Sequence, residues 1–258
     1  MIALERVSKS FDGGATFAVR QVTLEVPAHS FLAVVGESGS GKTTLLKLIN
    51  RLIAADEGGI AIAGQPAESL PPYALRRRIG YVFQGVGLFP HMTIAENIGI
   101  TPRLIGWPEP EIRARVAELL DLVALPRSYV TRKPAELSGG QRQRVGIARA
   151  LAARPAIMLM DEPFGALDPV TRDTLGTEYR RLHDDMKLTT MMVTHDVMEA
   201  VLLADRIVVM RTGSIVADGP PHELLAAHSD PAVRALMETP RRQAERVRAL
   251  MQERTARG

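Results

Sequence analysis

The feature that most constrains this chain is an apolar strand that runs directly into a glycine-rich loop. Residues 31–35, Phe-Leu-Ala-Val-Val, form a short apolar run, typical of a strand buried on both faces of a parallel sheet. The loop GESGSGKT follows at 36–43, and the periodicity of residues 45–52 predicts a helix after it. This spacing fits G-x-x-x-x-G-K-[ST] between a strand and a helix, which is the context of a phosphate-binding loop. The chain is therefore predicted to bind a phosphorylated ligand on an α/β fold.

The residue types of this loop suit phosphate chemistry. Gly36, Gly39 and Gly41 allow the backbone to wrap an anion at positive φ, so that successive N–H groups and a helix N-terminus face the phosphates. Lys42 is predicted to place its charge on the β- and γ-phosphate oxygens, and Thr43 to offer its hydroxyl to Mg²⁺. The other members of the predicted nucleotide-binding segment are Glu37, Ser38, Ser40 and Thr44.

Strand and helix patterns alternate along the chain and predict an α/β core with a mostly parallel sheet. A helical pattern extends from Pro90 to about Ala153, with apolar spacing over residues 111–123 and a second helix over 141–152. It is too long for an ordinary crossover, so a helical subdomain inserted at about 86–155 is expected. Two appended helices are expected after Pro220, separated at Pro240. The other predicted strands are 2–7, 22–26, 60–63, 79–83, 157–160, 190–193 and 207–210.

Two further motifs complement the glycine-rich loop. The apolar run IMLM at 157–160 ends in Asp161 and Glu162, where the first carboxylate is predicted to hold Mg²⁺ through water and the second to polarise an attacking water. The segment LSGGQ at 137–141 opens a helix with Ser138 as a good N-cap. Its consecutive glycines, Gly139 and Gly140, expose backbone N–H groups, which indicates a second phosphate cradle.

With these motifs in order, the chain resembles the ATP-binding subunit of ATP-binding-cassette (ABC) transporters over about residues 1–225. The motifs that carry the resemblance are GESGSGKT, Gln84, LSGGQ, IMLMDE, the Ala-Leu-Asp of 166–168, and His195. The resemblance implies a P-loop (RecA-like) core, an N-terminal antiparallel β subdomain, and ATP with Mg²⁺ as ligands. It also implies a head-to-tail dimer, in which each ATP lies between the Lys42 loop of one subunit and residues Ser138–Gln141 of the other. Residues 226–258 would form an Arg-rich helical extension.

The resemblance assigns roles to four more positions. Gln84 would reach Mg²⁺ and the attacking water, and His195 would contact the γ-phosphate and hold the geometry with Glu162. Asp168 would bridge the dimer near the partner's nucleotide. Phe11 occupies the place of a tyrosine that stacks on adenine in the family, although a core role for Phe11 or stacking by Phe17 stays open.

The resemblance also implies a transport role. The string RRRIGYVFQGVGLFPHMTIAENI at 76–98 is similar to importers of quaternary amines such as glycine betaine, choline and carnitine. The expected partners are transmembrane permease subunits, a second ATPase subunit in a homodimer and, indirectly, a periplasmic or lipid-anchored substrate-binding protein. The expected location is peripheral, on the cytoplasmic face of the plasma (inner) membrane. In the loop 85–94, Leu88, Phe89 and Met92 would either anchor a permease helix or fill the core of the helical subdomain.

Composition narrows the alternatives. The 258 residues include no cysteine, which excludes disulfides, iron–sulfur clusters and cysteine-ligated zinc. Residues 241–258 carry a net charge of +4, whereas the whole chain carries +3. The net charge of residues 1–240 is therefore near −1, and nucleic acid is not an expected partner. The tail fits a solvated amphipathic helix, or else a contact with an anionic surface. An importer for another solute, a non-transport ABC ATPase and an exporter subunit are the alternative functions.

Overall fold

Strands and helices alternate along most of the chain. The computed structural model describes residues 1–85, 87–226 and 229–255. Its strands are β1 (Ile2–Ser10), β2 (Phe17–Val26), β3 (Phe31–Val35), β4 (Glu57–Ile62), β5 (Gln65–Pro66), β6 (Ile79–Val82), β7 (Ile157–Asp161), β8 (Thr189–Val193), β9 (Arg206–Arg211) and β10 (Ser214–Gly219). Its helices are α1 (Lys42–Ile49), α2 (Pro72–Arg76), α3 (Ile94–Leu104), α4 (Glu109–Leu122), α5 (Gly139–Leu151), α6 (Pro169–Met186), α7 (Val197–Leu203), α8 (Pro221–Ala226) and α9 (Pro231–Thr255).

The strands form two sheets. The first has the order β2-β1-β4-β5 and is antiparallel. The second has the order β10-β9-β3-β8-β7-β6, in which β9, β3, β8, β7 and β6 are parallel and only β10 runs antiparallel. The predicted α/β core with a mostly parallel sheet and an antiparallel β subdomain is thereby confirmed.

The central strand β3 separates two hydrophobic cores. Phe31, Ala33 and Val35 face a core that they share with the helices α3 to α7. Leu32 and Val34 face the opposite core, which is built with α1 and the antiparallel sheet. All five side chains are buried, because a strand covered on both faces alternates between two apolar layers rather than between core and solvent.

Three helices between β6 and β7 form the helical part of the fold. Helices α3, α4 and α5 contribute buried apolar side chains to one shared cluster, among them Ile98, Val116 and Val145. Asn97 is fully buried in α3, where its side chain accepts from the Phe89 N–H at 2.8 Å. Its amide also donates to backbone carbonyls at 89, 92 and 93, so one buried polar side chain fixes the loop that leads into α3.

One expected helix break is wrong. Two helices follow Pro220, but α9 continues through position 240 and the separation lies upstream, before Pro231. Asp230 accepts from the N–H groups of Ala232 and Val233, so a capping side chain followed by proline at the first helical position sets the start of α9. That start signal, rather than the later proline, defines the helix.

Several elements differ from the sequence pattern in other ways. The pattern alone does not predict β5, β10, α2, α6 or α7. Strand β6 ends at Val82, so Phe83 and Gln84 belong to the following turn. Within the described ranges, no helix combines the length and apolar character that a bilayer crossing needs.

Candidate nucleotide-binding site

The fold brings four loops to one edge of the parallel sheet. The glycine-rich loop follows β3, Gln84 follows β6, Glu162 follows β7 and His195 follows β8. The carboxyl ends of neighbouring parallel strands lie at the same edge, which is where α/β folds bind ligands. One cleft at this edge is lined by Ala18, Ser38, Gly39, Gly41, Lys42, Thr43, Thr44, Gln84, Glu162 and His195.

The glycine-rich loop is packed tightly on its neighbours. Gly36, Gly39 and Gly41 have φ values of 151°, 80° and 102°. A Cβ at Gly36 would lie 2.2 Å from the Met210 carbonyl oxygen, and one at Gly41 would lie 2.0 Å from the Ala18 carbonyl oxygen. Glycine is therefore required at 36 and 41 by space as well as by conformation.

Lys42 begins α1 and bends back over the loop. Its Nζ donates to the carbonyl oxygens of Gly36 at 2.8 Å and Glu37 at 2.7 Å, and more weakly to the Ser40 hydroxyl at 3.4 Å. The side chain is 7% exposed. Burial lowers the pKa of Lys42 below its ordinary value, while the nearby carboxylates of Glu162 and Asp161 oppose this shift. A cation is thus held at the point where a bound polyphosphate would pass.

Thr43 and Asp161 meet across the sheet edge. The Thr43 hydroxyl donates to Asp161 Oδ1 at 2.9 Å, which joins the start of α1 to the end of β7. Burial raises the pKa of the Asp161 carboxyl, and the Thr43 hydrogen bond opposes that rise.

This pair fits a magnesium ion that is bound jointly with phosphates. Mg²⁺ prefers oxygen ligands and is typically held by one or two carboxylates together with substrate phosphates, rather than by a full protein cage. In the described part of the chain, no group of three or more His, Cys, Asp or Glu side chains could hold a metal ion. The hydroxyl and carboxylate oxygens of Thr43 and Asp161 are the donors such a site needs.

Glu162 faces His195 at the mouth of the cleft. Glu162 Oε1 lies 3.3 Å from His195 Nδ1, and the two side chains are 25% and 65% exposed. Glu162 adopts a left-handed backbone with φ of 49°, and its N–H donates to the Val193 carbonyl at 2.9 Å. Gln143 Nε2 lies 3.4 Å from the Glu162 carbonyl oxygen and supports the same turn. A carboxylate and an imidazole therefore share a position that solvent reaches, which suits activation of a water molecule.

The second predicted cradle lies elsewhere on the surface. Ser138 caps α5 and forms a capping box with Gln141, whose N–H donates to Ser138 Oγ at 3.2 Å. Ser138 and Gly139 are exposed, and no residue of 138–141 is among those that line the cleft. The two predicted cradles are thus not brought together within one chain.

Asp168 and Phe11 also lie outside the cleft lining. Asp168 is exposed and caps α6 by accepting from the Thr171 N–H at 3.0 Å, a hydrogen bond that lowers the pKa of its carboxyl. Phe11 is 67% exposed, with Lys9 Nζ 5.6 Å from the ring centroid, so it contributes no core packing. Phe17 is half-buried and lies beside Arg20. Stacking of Phe11 on adenine therefore stays a prediction.

Two contacts in this region have no sequence signal. Ala18 lines the cleft because β2 passes behind Gly41, and Gln143 on α5 reaches the carbonyl of Glu162, directly after β7. Small and amide side chains at these positions resemble ordinary strand and helix residues. Only the packing of β2 and α5 on the sheet edge reveals them.

Comparison with known proteins agrees with this geometry. A family described as ABC transporter matches residues 19–165, more than half of the chain. The chain belongs to the ABC transporter family. Of the solved structures, the dimeric ATP-binding cassette MJ0796 bound to ADP and Pi superposes with a TM-score of 0.80 at 34% identity, over 85% of this chain and 98% of that one.

Curated relatives are named for transport of quaternary amines. The choline transport ATP-binding protein OpuBA of Bacillus subtilis is 50% identical over 89% of this chain and 60% of its own length. The glycine betaine uptake system ATP-binding protein YehX of Escherichia coli is 48% identical over 91% of this chain and 75% of its own. The chain therefore spans about three-fifths of the former relative and three-quarters of the latter.

Proposed function

We propose that this chain binds and hydrolyses ATP and thereby energises a membrane importer of quaternary-amine solutes. The observation that carries the proposal is the cleft lined by Lys42, Thr43, Glu162 and His195. Buried Asp161 joins it through its hydrogen bond from Thr43, and Glu162 pairs there with His195. Phosphate binding, metal binding and water activation are the three elements that phosphoryl transfer to water requires. Here they lie within one sheet edge.

The residues divide the chemistry among themselves. Lys42 and the backbone N–H groups of the glycine-rich loop bind the phosphates, and Thr43 with Asp161 holds Mg²⁺. The ion, when bound, neutralises charge that develops on the transferred phosphoryl group. The Glu162 carboxylate accepts the proton of the attacking water, and His195, whose Nδ1 lies 3.3 Å from Glu162 Oε1, orients that carboxylate. We assign Gln84 to the same water, on the basis of its place in the cleft lining.

A second copy of the chain would complete the site. Ser138 and Gly139 are exposed at the start of α5, away from the cleft of their own subunit. In a head-to-tail pair, this cradle would cover the nucleotide held by the partner, and exposed Asp168 would lie at the subunit boundary. Phe11 would supply an aromatic face for the adenine.

An apolar groove supports a permease partner. Phe83, Phe89 and Leu104 are 40%, 41% and 58% exposed and line one groove between the sheet edge and α3. Leu88 instead packs against the main core, so the loop 85–94 contributes to both surfaces. An amphipathic helix of a permease subunit would bury the exposed rings, which is a common mode of helix recognition. The chain would then work at the inner face of the membrane, and reach a substrate-binding protein only through the permease.

The cargo class follows from the relatives rather than from the cleft. Solute selection belongs to the permease and binding-protein subunits, so the ATP site places no constraint on it. The cargo proposal is supported by relatives named for choline and glycine betaine, which are 50% and 48% identical to this chain. A relative named for sulfate/thiosulfate import is also 48% identical, so identity alone does not set the cargo.

The decisive experiment is Glu162→Gln at the native locus, with Glu178→Gln as the matched control. Glu178 is an exposed carboxylate on α6 outside the cleft. We expect E162Q to bind ATP, form an ATP-dependent dimer by light scattering, lose hydrolysis, and abolish uptake of labelled glycine betaine or choline under high salt. E178Q should behave as wild type.

Two outcomes would contradict parts of the proposal. Normal ATP hydrolysis by purified E162Q would remove Glu162 from its catalytic role. Loss of hydrolysis with unchanged quaternary-amine uptake, but lost uptake of an amino acid or polyamine in the same strain, would retain the transport ATPase and overturn the cargo.

A further inference from the structure

The guanidinium of Arg172 joins the turn that precedes α6 to the turn that carries His195. Arg172, in the first turn of α6, donates from Nη1 to Asp196 Oδ2 at 3.0 Å and from Nη2 to the Leu167 carbonyl at 3.3 Å. Its Nε lies 3.5 Å from Glu199 Oε1. The planar fork of arginine holds two acceptors in fixed directions, here Asp196 and the Leu167 carbonyl, while the contact with Glu199 is an ion pair without a hydrogen bond. Arg172 therefore connects the turn before α6 with the turn before α7.

The carboxylates at one end of this connection fix the turn that carries His195. Asp196 caps α7 by accepting from the N–H groups of Met198 and Glu199 at 2.9 and 3.4 Å. Thr194 donates to Glu199 Oε2 at 2.6 Å and accepts from the Asp196 N–H at 3.0 Å. The residues on both sides of His195 are thus held by the two carboxylates that contact Arg172.

The other end of the connection touches the exposed cradle. The Arg172 N–H donates to the Asp168 carbonyl at 2.9 Å, directly after Leu167. A Cβ at Gly140 would lie 3.2 Å from Leu167 Cδ2 and 3.5 Å from the Ala166 carbonyl oxygen, so the start of α5 packs on the same turn. A displacement at 138–140 therefore presses on 166–168, the turn whose carbonyl Arg172 holds.

We propose that Arg172 is a positioning residue that transmits the state of the turn 166–168 to His195, and so sets the distance between His195 and Glu162. The inference rests on the proposed ATP hydrolysis. It makes each chain a mechanical link between the cradle it offers to a second copy and the water-activating pair of its own cleft. Arg172 is not among the residues that line the cleft, and it acts through Asp196 and Glu199.

The test compares Arg172→Lys and Arg172→Met with Arg181→Met. Lysine keeps a positive charge near Asp196 and Glu199 but cannot also hold the Leu167 carbonyl in a fork. Arg181 lies on the same helix with 74% of its side chain exposed, so R181M controls for loss of an arginine from α6. We expect kcat for ATP hydrolysis to fall about tenfold in R172M and about threefold in R172K, with KM for ATP within twofold of wild type. R181M should keep both constants.

Hydrogen exchange separates failure of this inference from failure of the proposed function. Amides of 194–199 should exchange faster in R172K than in wild type, while those of β7 stay unchanged, and this readout does not need activity. R172K with wild-type kcat and wild-type exchange at 194–199 would overturn the inference. A kcat loss that is matched by a rise in KM, or by faster exchange throughout β7, would show general destabilisation and would also overturn it. If the wild type does not hydrolyse ATP but R172K still shows faster exchange at 194–199, the proposed function is overturned and the positioning role of Arg172 is kept.

Discussion

Gly39 and Gly41 offer a test of how tightly the phosphate-binding loop is packed. Both have positive φ, 80° and 102°, so alanine pays a similar backbone cost of about 1–2 kcal/mol at either position. Their surroundings differ, because a Cβ at Gly39 meets nothing within 4 Å, whereas one at Gly41 lies 2.0 Å from the Ala18 carbonyl oxygen. The pair therefore separates backbone strain from close approach.

The loss of stability expected for Gly41→Ala follows from the displacement that the added Cβ requires. An ordinary contact needs at least 3.4 Å, so β2 and the loop would have to separate by about 1.4 Å. That movement would strain the hydrogen bonds from Gly213 N to Ser40 O at 3.1 Å and from Leu45 N to Gly41 O at 2.9 Å. At about 1 kcal/mol for each hydrogen bond, G41A should cost about 4 kcal/mol in total.

Differential scanning calorimetry of the nucleotide-free protein measures the difference. At about 3 °C per kcal/mol for a chain of this size, a backbone cost of about 2 kcal/mol should lower Tm by about 6 °C in G39A, and the total of about 4 kcal/mol should lower it by about 12 °C in G41A. Equal losses for the two variants would refute the packing argument, because they would show that backbone conformation alone requires glycine.

The remaining predictions concern binding, pH and the surfaces. Lys42→Ala should lose ATP binding in a fluorescent-nucleotide titration; unchanged affinity would contradict the role of the cation. Ser138→Arg should block ATP-dependent dimerisation while monomer binding persists, and a dimer by light scattering would contradict the proposed interface. Asp161→Asn should raise Tm without nucleotide, since burial raises the pKa of that carboxyl and so disfavours its ionised form in the folded state. As pH rises from the ordinary carboxyl pKa through the raised pKa of folded Asp161, the wild type should lose stability, a trend absent from D161N. The same trend in both proteins would refute the assignment. Asn97→Ala should cost about 2–3 kcal/mol by calorimetry, because the Phe89 N–H and the carbonyls of 89, 92 and 93 lose a buried partner, and Asn97→Asp should cost less than N97A. A neutral N97A would show that the loop before α3 holds without this side chain.

The parallel core could be predicted from sequence because its strands are buried on both faces. The runs at 31–35 and 157–160 are almost wholly apolar, and each ends in residues whose chemistry suits phosphate. Lys42 and Glu162 were accessible to the same reasoning, since the end of a parallel strand fixes which sheet edge a residue reaches. The pairing of Thr43 with Asp161 follows from that shared edge.

Other features depend on packing between segments far apart in sequence. Strand β10 is short and half-exposed, and its pairing with β9 follows a tight turn at 212–213 rather than an apolar pattern. Arg172 resembles any charged residue of a solvated helix until α7 is placed beside α6. Helix α9 shows the converse. The local rule that proline breaks a helix predicts a break at position 240, but the helix begins after the Asp230 cap and continues through that position.

The hydrogen bonds of Lys42 have a thermodynamic consequence for ligand entry. Its ammonium already donates to two loop carbonyls, so an incoming triphosphate must compete for donors that the protein has satisfied internally. Binding then exchanges hydrogen bonds, because the ammonium leaves the carbonyls of Gly36 and Glu37 for phosphate oxygens. The net gain in enthalpy is smaller than the number of new hydrogen bonds would suggest. Small anions, which offer fewer oxygens in exchange, should displace the lysine poorly. Discrimination between a nucleoside triphosphate and free phosphate thus begins with the hydrogen bonds that Lys42 makes to its own loop.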